Sequence, residues 1–320
     1  MRHAGKPNLK FLRHRAELLR ELRQFFDTRD FLEVQPPCLS ADCVVDAYID
    51  PIEISARQLQ LSLPLSEKYY LQTSAEAAMK RLLAAGAPSI YSLGPVFRAG
   101  ERGARHNVEF TMLEWYQVDQ RIEAGIELLG ELACAVLDAR GYDIWNYREL
   151  FQESLGIDPI DSPLAELRAL VAASAPSMWD ADRDSLLDVL LTSQVEPTLG
   201  VERPAIVRNF PLSQAALART AEDDPQCAAR FELFVKGVEL ANGYDELTDV
   251  QELVARTQIQ NAKRGAIGRA AIASESAFLH TITAGLPVCT GVAVGVDRLL
   301  MVRCGARTID ETLPFPIEIA

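Results

Sequence analysis

Three segments carry residue types whose spacing could do chemistry. The first is RFELFVKGVELANGYDEL at 230–247. With Lys236-Gly237 as a two-residue hairpin turn, Phe234 pairs with Glu239 and Glu232 with Ala241. Directly paired residues share a face, so Glu232 and Glu239 become diagonal neighbours on one side of the ribbon. Two carboxylates held that close repel unless a cation lies between them. Magnesium suits such acids, particularly when substrate phosphates supply further ligands. A bound ammonium, or a solvated sheet face bearing unrelated acids, fits this segment alone as well. The second segment, FRAGERGARHNVEFTMLEWY at 97–116, gathers Arg98, Arg102, Arg105 and His106 in and beside a turn between two strand-like runs. Guanidinium forks there would make a polyphosphate clamp, and Phe110 offers a flat apolar face for a base. A surface arginine cluster is the competing reading. The third is G-V-A-V-G-V-D-R at 291–298, where small residues in a strand permit close approach of a ligand beside Arg298.

Those residues need elements to position them. Residues 9–28 place Leu18, Leu19, Leu22, Phe25 and Phe26 on one face, predicting an amphipathic helix with a basic outer face. FLEVQPP (31–37) reads as a short strand stopped by Pro36 and Pro37. A helix is expected over 74–85, with Ser74 as N-cap and Gly86 as its stop. Strand-like runs follow at 89–100 and 108–118. Helices are expected near 122–140, 163–173, 183–194, 248–264 and 274–284, and 289–303 reads as a strand turning into a helix. The stretch 152–230 carries no obvious chemistry. Antiparallel runs with intervening helices make the chain α+β.

Composition bounds the rest. The 320 residues carry a net charge of −13, which argues against a general nucleic-acid binder. Residues 1–23 are nonetheless +5 and the remainder −18, which leaves open a docking face on the first helix. The six cysteines show no CxxC pair and the four histidines are scattered, so a His/Cys metal site is not expected. Free thiols and the lack of an apolar leader favour a cytoplasmic protein, and no apolar run is long enough for a membrane span. Phosphate-loop, dinucleotide-loop and nucleophile-elbow signatures are absent.

Taken together, the segments stop being generic. A long helix with a proline-ended strand, F-R followed by H-N-x-E-F-T-M-L-E-W-Y, and a glycine-spaced strand ending in D-R resemble motifs 1, 2 and 3 of the class II aminoacyl-tRNA synthetases. RHNVEFTMLEWY, ELANGYDEL and GVAVGVDRLLM are most similar to the lysyl branch. The resemblance implies an antiparallel β-sheet flanked by helices and a homodimer built on motif 1. It puts Arg98 on the ATP α-phosphate, where a fixed cation stabilises charge developing in the transition state. It gives Arg105 and His106 to the departing pyrophosphate, Asn107 to the ATP-binding stretch, and Phe110 and Arg298 to the two faces of adenine. Gly100 and Glu101 fall within the ATP-binding motif, while Leu240 and Gly295 line the nucleotide site. Glu232 and Glu239 match the Mg2+-binding acids. For the amino acid it implies Glu76 and Glu114 near the amino group close to the carboxylate, Tyr116 and Glu246 on the distal ammonium with Asn242 beside them, and Ser74 among the substrate-binding residues.

Motif 1 falls at about 20–37, motif 2 at about 94–118 and motif 3 at about 288–303, which leaves no room for the anticodon-binding barrel of a lysyl-tRNA synthetase. A single catalytic domain over 1–320 is therefore expected. That layout is similar to the elongation factor P β-lysyltransferase family, which implies ATP-dependent activation of (R)-β-lysine or lysine as an adenylate, then transfer to a lysine ε-amine of elongation factor P. The alternative is a truncated lysyl-tRNA synthetase-like enzyme charging tRNA or a tRNA-like RNA, which the acidic chain disfavours. Ala293 stands where lysyl-tRNA synthetases have glycine, and its methyl is expected to tilt preference from α- to β-lysine. Motif 2 departs from F-R-x-E: Gly100 replaces the glutamate and Glu101 follows one place later. Either Glu101 takes the role or backbone groups at Gly100 do. Val108 replaces a usual proline and Ala104 a usual basic residue.

Overall fold

The computed structural model of the chain describes residues 6–62, 64, 66–172, 174–273 and 276–320. It contains two compact units, Met1–Gln120 with Leu247–Ala320, and Arg121–Glu246. The first unit opens with α1 (Leu12–Asp27), β1 (Leu32–Glu33), β2 (Leu39–Ser40), β3 (Ile52–Ser55), β4 (Lys68–Leu71), α2 (Glu76–Ala84), β5 (Ile90–Phe97) and β6 (Glu109–Val118). The second unit holds α3 (Ile122–Leu137), β7 (Asp143–Asn146), α4 (Tyr147–Leu155), α5 (Leu164–Val171), α6 (Arg183–Leu190), β8 (Ala205–Pro211), β9 (Cys227–Phe234) and β10 (Glu239–Asp245). The chain returns to the first unit with α7 (Val250–Ala266), α8 (Ala277–Ala284), β11 (Cys289–Gly295) and α9 (Val296–Cys304).

In the first unit β6 lies between β5 and β11 and is antiparallel to both, with β1 joining β5 in parallel. Alternation along β6 divides its labour. Leu113 and Trp115 face α1, whose Phe26 ring lies 5.1 Å from that of Trp115. Phe110, Met112, Glu114 and Tyr116 share the opposite face. Across from them β11 sets Gly295 against Met112, Ala293 against Glu114 and Gly291 against Tyr116, a floor of small side chains. The apolar stripe of α1 is buried through Leu18, Leu22, Phe25 and Phe26. Its basic face is not uniformly solvated: Arg15 pairs with Asp297 and Arg23 with Glu33. Arg2 lies outside the described residues, as do Ser274 and Glu275 of the helix expected at 274–284, which begins at Ala277.

Asp297 is 1% exposed and fastens three elements of this unit. One carboxylate oxygen accepts from the Arg15 guanidinium of α1, and the other accepts the Thr111 N–H of β6 at 2.7 Å. Arg15 also donates to the Thr111 hydroxyl at 2.6 Å. A buried carboxylate is tolerated only when paired and hydrogen-bonded in this way.

In the second unit β9 pairs antiparallel with β10 and with β8, and β7 runs parallel to β8. Helices α4, α5 and α6 close a core of Tyr147, Phe151, Leu186, Leu190, Val207 and Phe234. The β9–β10 turn is the expected two-residue one: Val235 and Val238 exchange backbone hydrogen bonds at 3.0 Å, and Lys236 and Gly237 take φ of 51° and 66°. The pairing beyond it differs from expectation. A bulge between Glu239 and Ala241 sets Glu232 opposite Asn242, not Ala241. The bulge inserts one residue, so Glu239 and Asn242 both end on the face of Glu232. The turn rests on Gly200, whose carbonyl accepts from Lys236 N–H at 2.7 Å. A Cβ at Gly200 would come within 2.3 Å of the Phe234 carbonyl oxygen, so only glycine fits this approach.

The sequence pattern did not point to β7, α4, β8 or the small sheet β2-β4-β3. Strand β8 is buried on both faces and kinked by Asn209 at φ 61°, so it lacks period-two alternation. The helix expected to end at 194 stops at Leu190 and continues as a wider turn over Leu191–Val195. Ser74 does not cap α2 formally, though its hydroxyl accepts the Glu76 N–H at 3.0 Å. Replacing Asp297 with alanine leaves the Arg15 guanidinium without its charge partner and the Thr111 N–H without its acceptor. The expected loss is about 3 kcal/mol, read as a lowered denaturation midpoint, with Asp297→Asn retaining part of it.

Candidate active site

On the site-facing side of β6, Glu114 is 3% exposed and is surrounded by donors. Ala75 N–H donates at 2.9 Å, the Tyr116 hydroxyl at 2.9 Å and the Ser74 hydroxyl at 3.2 Å. Burial, and then the charge of neighbouring Glu76, push its carboxyl up to about 7 in spite of those hydrogen bonds. Ser74, Glu76, Glu114 and Tyr116 are therefore brought together. The resemblance assigns Glu114 and Tyr116 to opposite ends of an amino acid, whereas here the two side chains are directly bonded. Sequence reasoning missed Lys80, which is 1% exposed and donates to Glu76 at 2.6 Å, its ammonium 5.8 Å from the Tyr116 ring centre. An i,i+4 Glu–Lys pair on a helix was the available signal.

The loop between β5 and β6 holds the arginine-rich segment. Arg98 donates to the Thr73 carbonyl at 3.3 Å and lies 5.2 Å over the Phe110 ring. Gly100 adopts φ 76°, a left-handed turn that brings Glu101 round to 3.7 Å from Arg98. Glu101, and not the backbone at Gly100, thus meets the motif arginine. Asn107 is buried and bridges the Glu109 carbonyl at 2.7 Å and the Ile317 N–H at 3.4 Å, so it shapes the loop. Arg298, the first-turn neighbour of Asp297 on α9, donates to the Arg105 carbonyl at 3.1 Å and contacts His106 Nε2. Arg98, Glu101, Arg105, His106, Phe110 and Arg298 are thereby gathered around one loop, with Gly295 beside Arg298. The charge of Arg102 is directed to Asp310 and Glu318, and it meets the loop only at backbone carbonyls.

The second unit carries Glu232, Glu239, Leu240, Asn242 and Glu246. Glu232 is 5% exposed, bonded to the Arg230 guanidinium and close enough to Glu239 to feel its charge. Burial raises the Glu232 carboxyl, Arg230 opposes that rise and Glu239 adds to it. Arg230 was also missed, although its i−2 position on a strand puts it on the same face. Asn242, opposite Glu232, donates to the Tyr244 hydroxyl at 3.0 Å, and its Oδ1 accepts no hydrogen bond among the described residues. Leu240 and Glu246 are buried, and Asp245 beside Glu246 is pushed up to about 6 by burial against the pull of Arg121. Among the described residues no group of three or more His, Cys, Asp or Glu could hold a metal. A two-carboxylate set fits Mg2+ where phosphates and water complete the octahedron, as that ion prefers.

No helix among the described residues is long and apolar enough to cross a membrane. Residues 4–319 match the class II tRNA synthetases (D, K and N). A protein of Mannheimia succiniciproducens named elongation factor P–(R)-beta-lysine ligase is 41% identical over 317 residues, covering 98% of this chain and 96% of its own. Proteins of the same name from Salmonella gallinarum and Salmonella paratyphi B are each 40% identical over 320 residues, covering 99% of this chain and 97% of theirs. The antiparallel strands, the motif arginines and the extent of these matches agree: the chain belongs to the class II tRNA synthetase family (D, K and N), in the branch of the elongation factor P–(R)-beta-lysine ligases, and is an ATP-dependent ligase.

Proposed function

We propose that the enzyme activates (R)-β-lysine, or lysine, as an adenylate and transfers the acyl group to a lysine ε-amine of elongation factor P. The observation that carries this reading is the Ser74–Glu76–Glu114–Tyr116 cluster, in which the buried Glu114 carboxyl is raised by burial and by the charge of Glu76, a cost that an incoming ammonium relieves. Ala293 lies directly opposite Glu114, so its methyl borders that pocket. The names of the relatives supply the acceptor and the β-amino acid.

In the first half-reaction a carboxylate oxygen of the amino acid attacks the ATP α-phosphorus, and the bond to pyrophosphate breaks. Arg98 opposes the charge that builds on the α-phosphate oxygens, while Arg105 and His106 hold the leaving pyrophosphate. Phe110 and Arg298 sandwich the base, and Asn107, Gly100 and Gly295 shape the nucleotide's backbone contacts. In the second half-reaction the acceptor ε-amine attacks the acyl carbon; AMP leaves and the amine proton goes to solvent. Glu232 and Glu239 are the residues that would hold Mg2+, which would supply charge neutralisation to the phosphates. Leu240, Asn242 and Glu246 belong to the same set by resemblance. We further infer a homodimer, on the resemblance of α1 and β1 to motif 1, and a cytoplasmic setting, supported by six free cysteines.

The decisive test incubates the protein with ATP, (R)-β-lysine and elongation factor P from the same organism, followed by intact mass of the factor. A gain of one lysyl unit is expected; no gain with either lysine isomer, or charging of tRNA instead, overturns the reading. A pH series gives a second check. A bound cation needs Glu114 ionised, so KM for the amine should fall as pH rises toward about 7 and level off above it. Glu114→Gln should raise that KM roughly tenfold or more and flatten the slope, since a charged hydrogen bond contributes about 1.5–3 kcal/mol. Ala293→Gly should shift the α/β-lysine preference in ATP–pyrophosphate exchange toward α-lysine.

A further inference from the structure

The β5–β6 loop is held from outside by residues far along the chain. Arg102 Nε and Nη2 fork onto the two oxygens of Glu318 at 2.5 and 2.8 Å, and Nη2 also donates to Asp310 at 2.8 Å. Its Nη1 donates to the Gly103 and His106 carbonyls at 3.2 and 3.3 Å. A guanidinium has five N–H donors, and these five contacts use them. Ile309 N–H donates to the Ala104 carbonyl at 2.8 Å, and Ile317 N–H reaches Asn107 Oδ1. The segment making these contacts is itself anchored. Ile309 and Leu313 are buried, Thr308 and Glu311 form a capping box, and Asn8 N–H donates to the Pro314 carbonyl at 2.9 Å.

We propose that residues 309–318 form a strap that sets the conformation of the β5–β6 loop, and that Asp310 and Glu318 are positioning residues for nucleotide binding, acting through Arg102. Arg102 is then not a phosphate ligand, because its donors are already taken. Single exposed ion pairs contribute little. Here a bidentate fork, a second carboxylate and two backbone clasps fix one loop at 102, 104 and 107, so its freedom is removed at three points. The proposal rests on the reading that Arg98, Arg105, His106 and Phe110 of this loop and its flanks hold ATP.

The test measures ATP–pyrophosphate exchange and hydrogen–deuterium exchange for Glu318→Gln, for Asp310→Asn with Glu318→Gln, and for Arg102→Ala. In the double variant KM for ATP should rise roughly five- to tenfold, the scale of a lost charge-assisted network. The amine KM and kcat should stay within about twofold, and backbone exchange over 98–108 should quicken. Arg102→Ala should reproduce the rise, and adding it to the double variant should add nothing further. Glu318→Gln alone, at an exposed position, should show a smaller rise in the same direction. An unchanged ATP KM in the double variant overturns the proposal, as does an additive effect of Arg102→Ala, which would make Arg102 a direct ligand. Phe110→Ala separates the two readings: if it leaves ATP KM unchanged, the nucleotide site itself is misassigned.

Discussion

The buried carboxylate of Asp297 is the interaction on which the first unit turns. Alone in an apolar interior it would be strongly unfavourable, so the fold must bring it a cation and a backbone donor together. Arg15 supplies the first and Thr111 N–H the second. Meeting that demand fixes helix α1, strand β6 and the start of α9 to one another. Strand β6 then presents Phe110, Glu114 and Tyr116 in a set order, and Arg298 follows Asp297 onto the loop between β5 and β6. A residue that touches no proposed ligand thus determines where several that do are found.

Both units hold acids in surroundings that resist their charge. Glu114 is raised by burial and by Glu76, Glu232 by burial and by Glu239 against Arg230, and Asp245 by burial. Because the folded-state value of Glu114 lies above that of an unfolded chain, the native state holds the extra proton between about 4.5 and 7. Its contribution to stability is complete below that window and is lost as pH rises through it. Lys80 and Arg230 offset part of this strain. In each unit, separately, a cation beside the raised acid would lower the cost of its charge.

How much of this was legible in the sequence depends on the range of the interaction. The Lys236-Gly237 turn and the shared face of Glu232 and Glu239 follow from local rules, and they stand. The bulge at Glu239–Ala241 does not follow from them, since a turn sets the register only up to the first residue inserted beyond it. Arg102 reads locally as one more member of a phosphate clamp. Only partners more than two hundred positions away, Asp310 and Glu318, turn it elsewhere. Lys80 was within reach, four residues from Glu76, but a buried lysine is uncommon enough that pattern alone argues for a solvated one. Strand β8 escaped because burial on both faces erases the alternation that marks a strand.

The distance along the chain between Arg102 and Glu318 has a consequence for synthesis. The separation is 216 residues, so a nascent chain finishes its β5–β6 loop long before the residues that fasten it exist. Domains are built from the N-terminal side at about 5–20 residues per second, and the loop therefore waits some tens of seconds in an unfastened form. The loop is thus among the earlier parts of its unit to be made, and the contacts that fasten it are among the last.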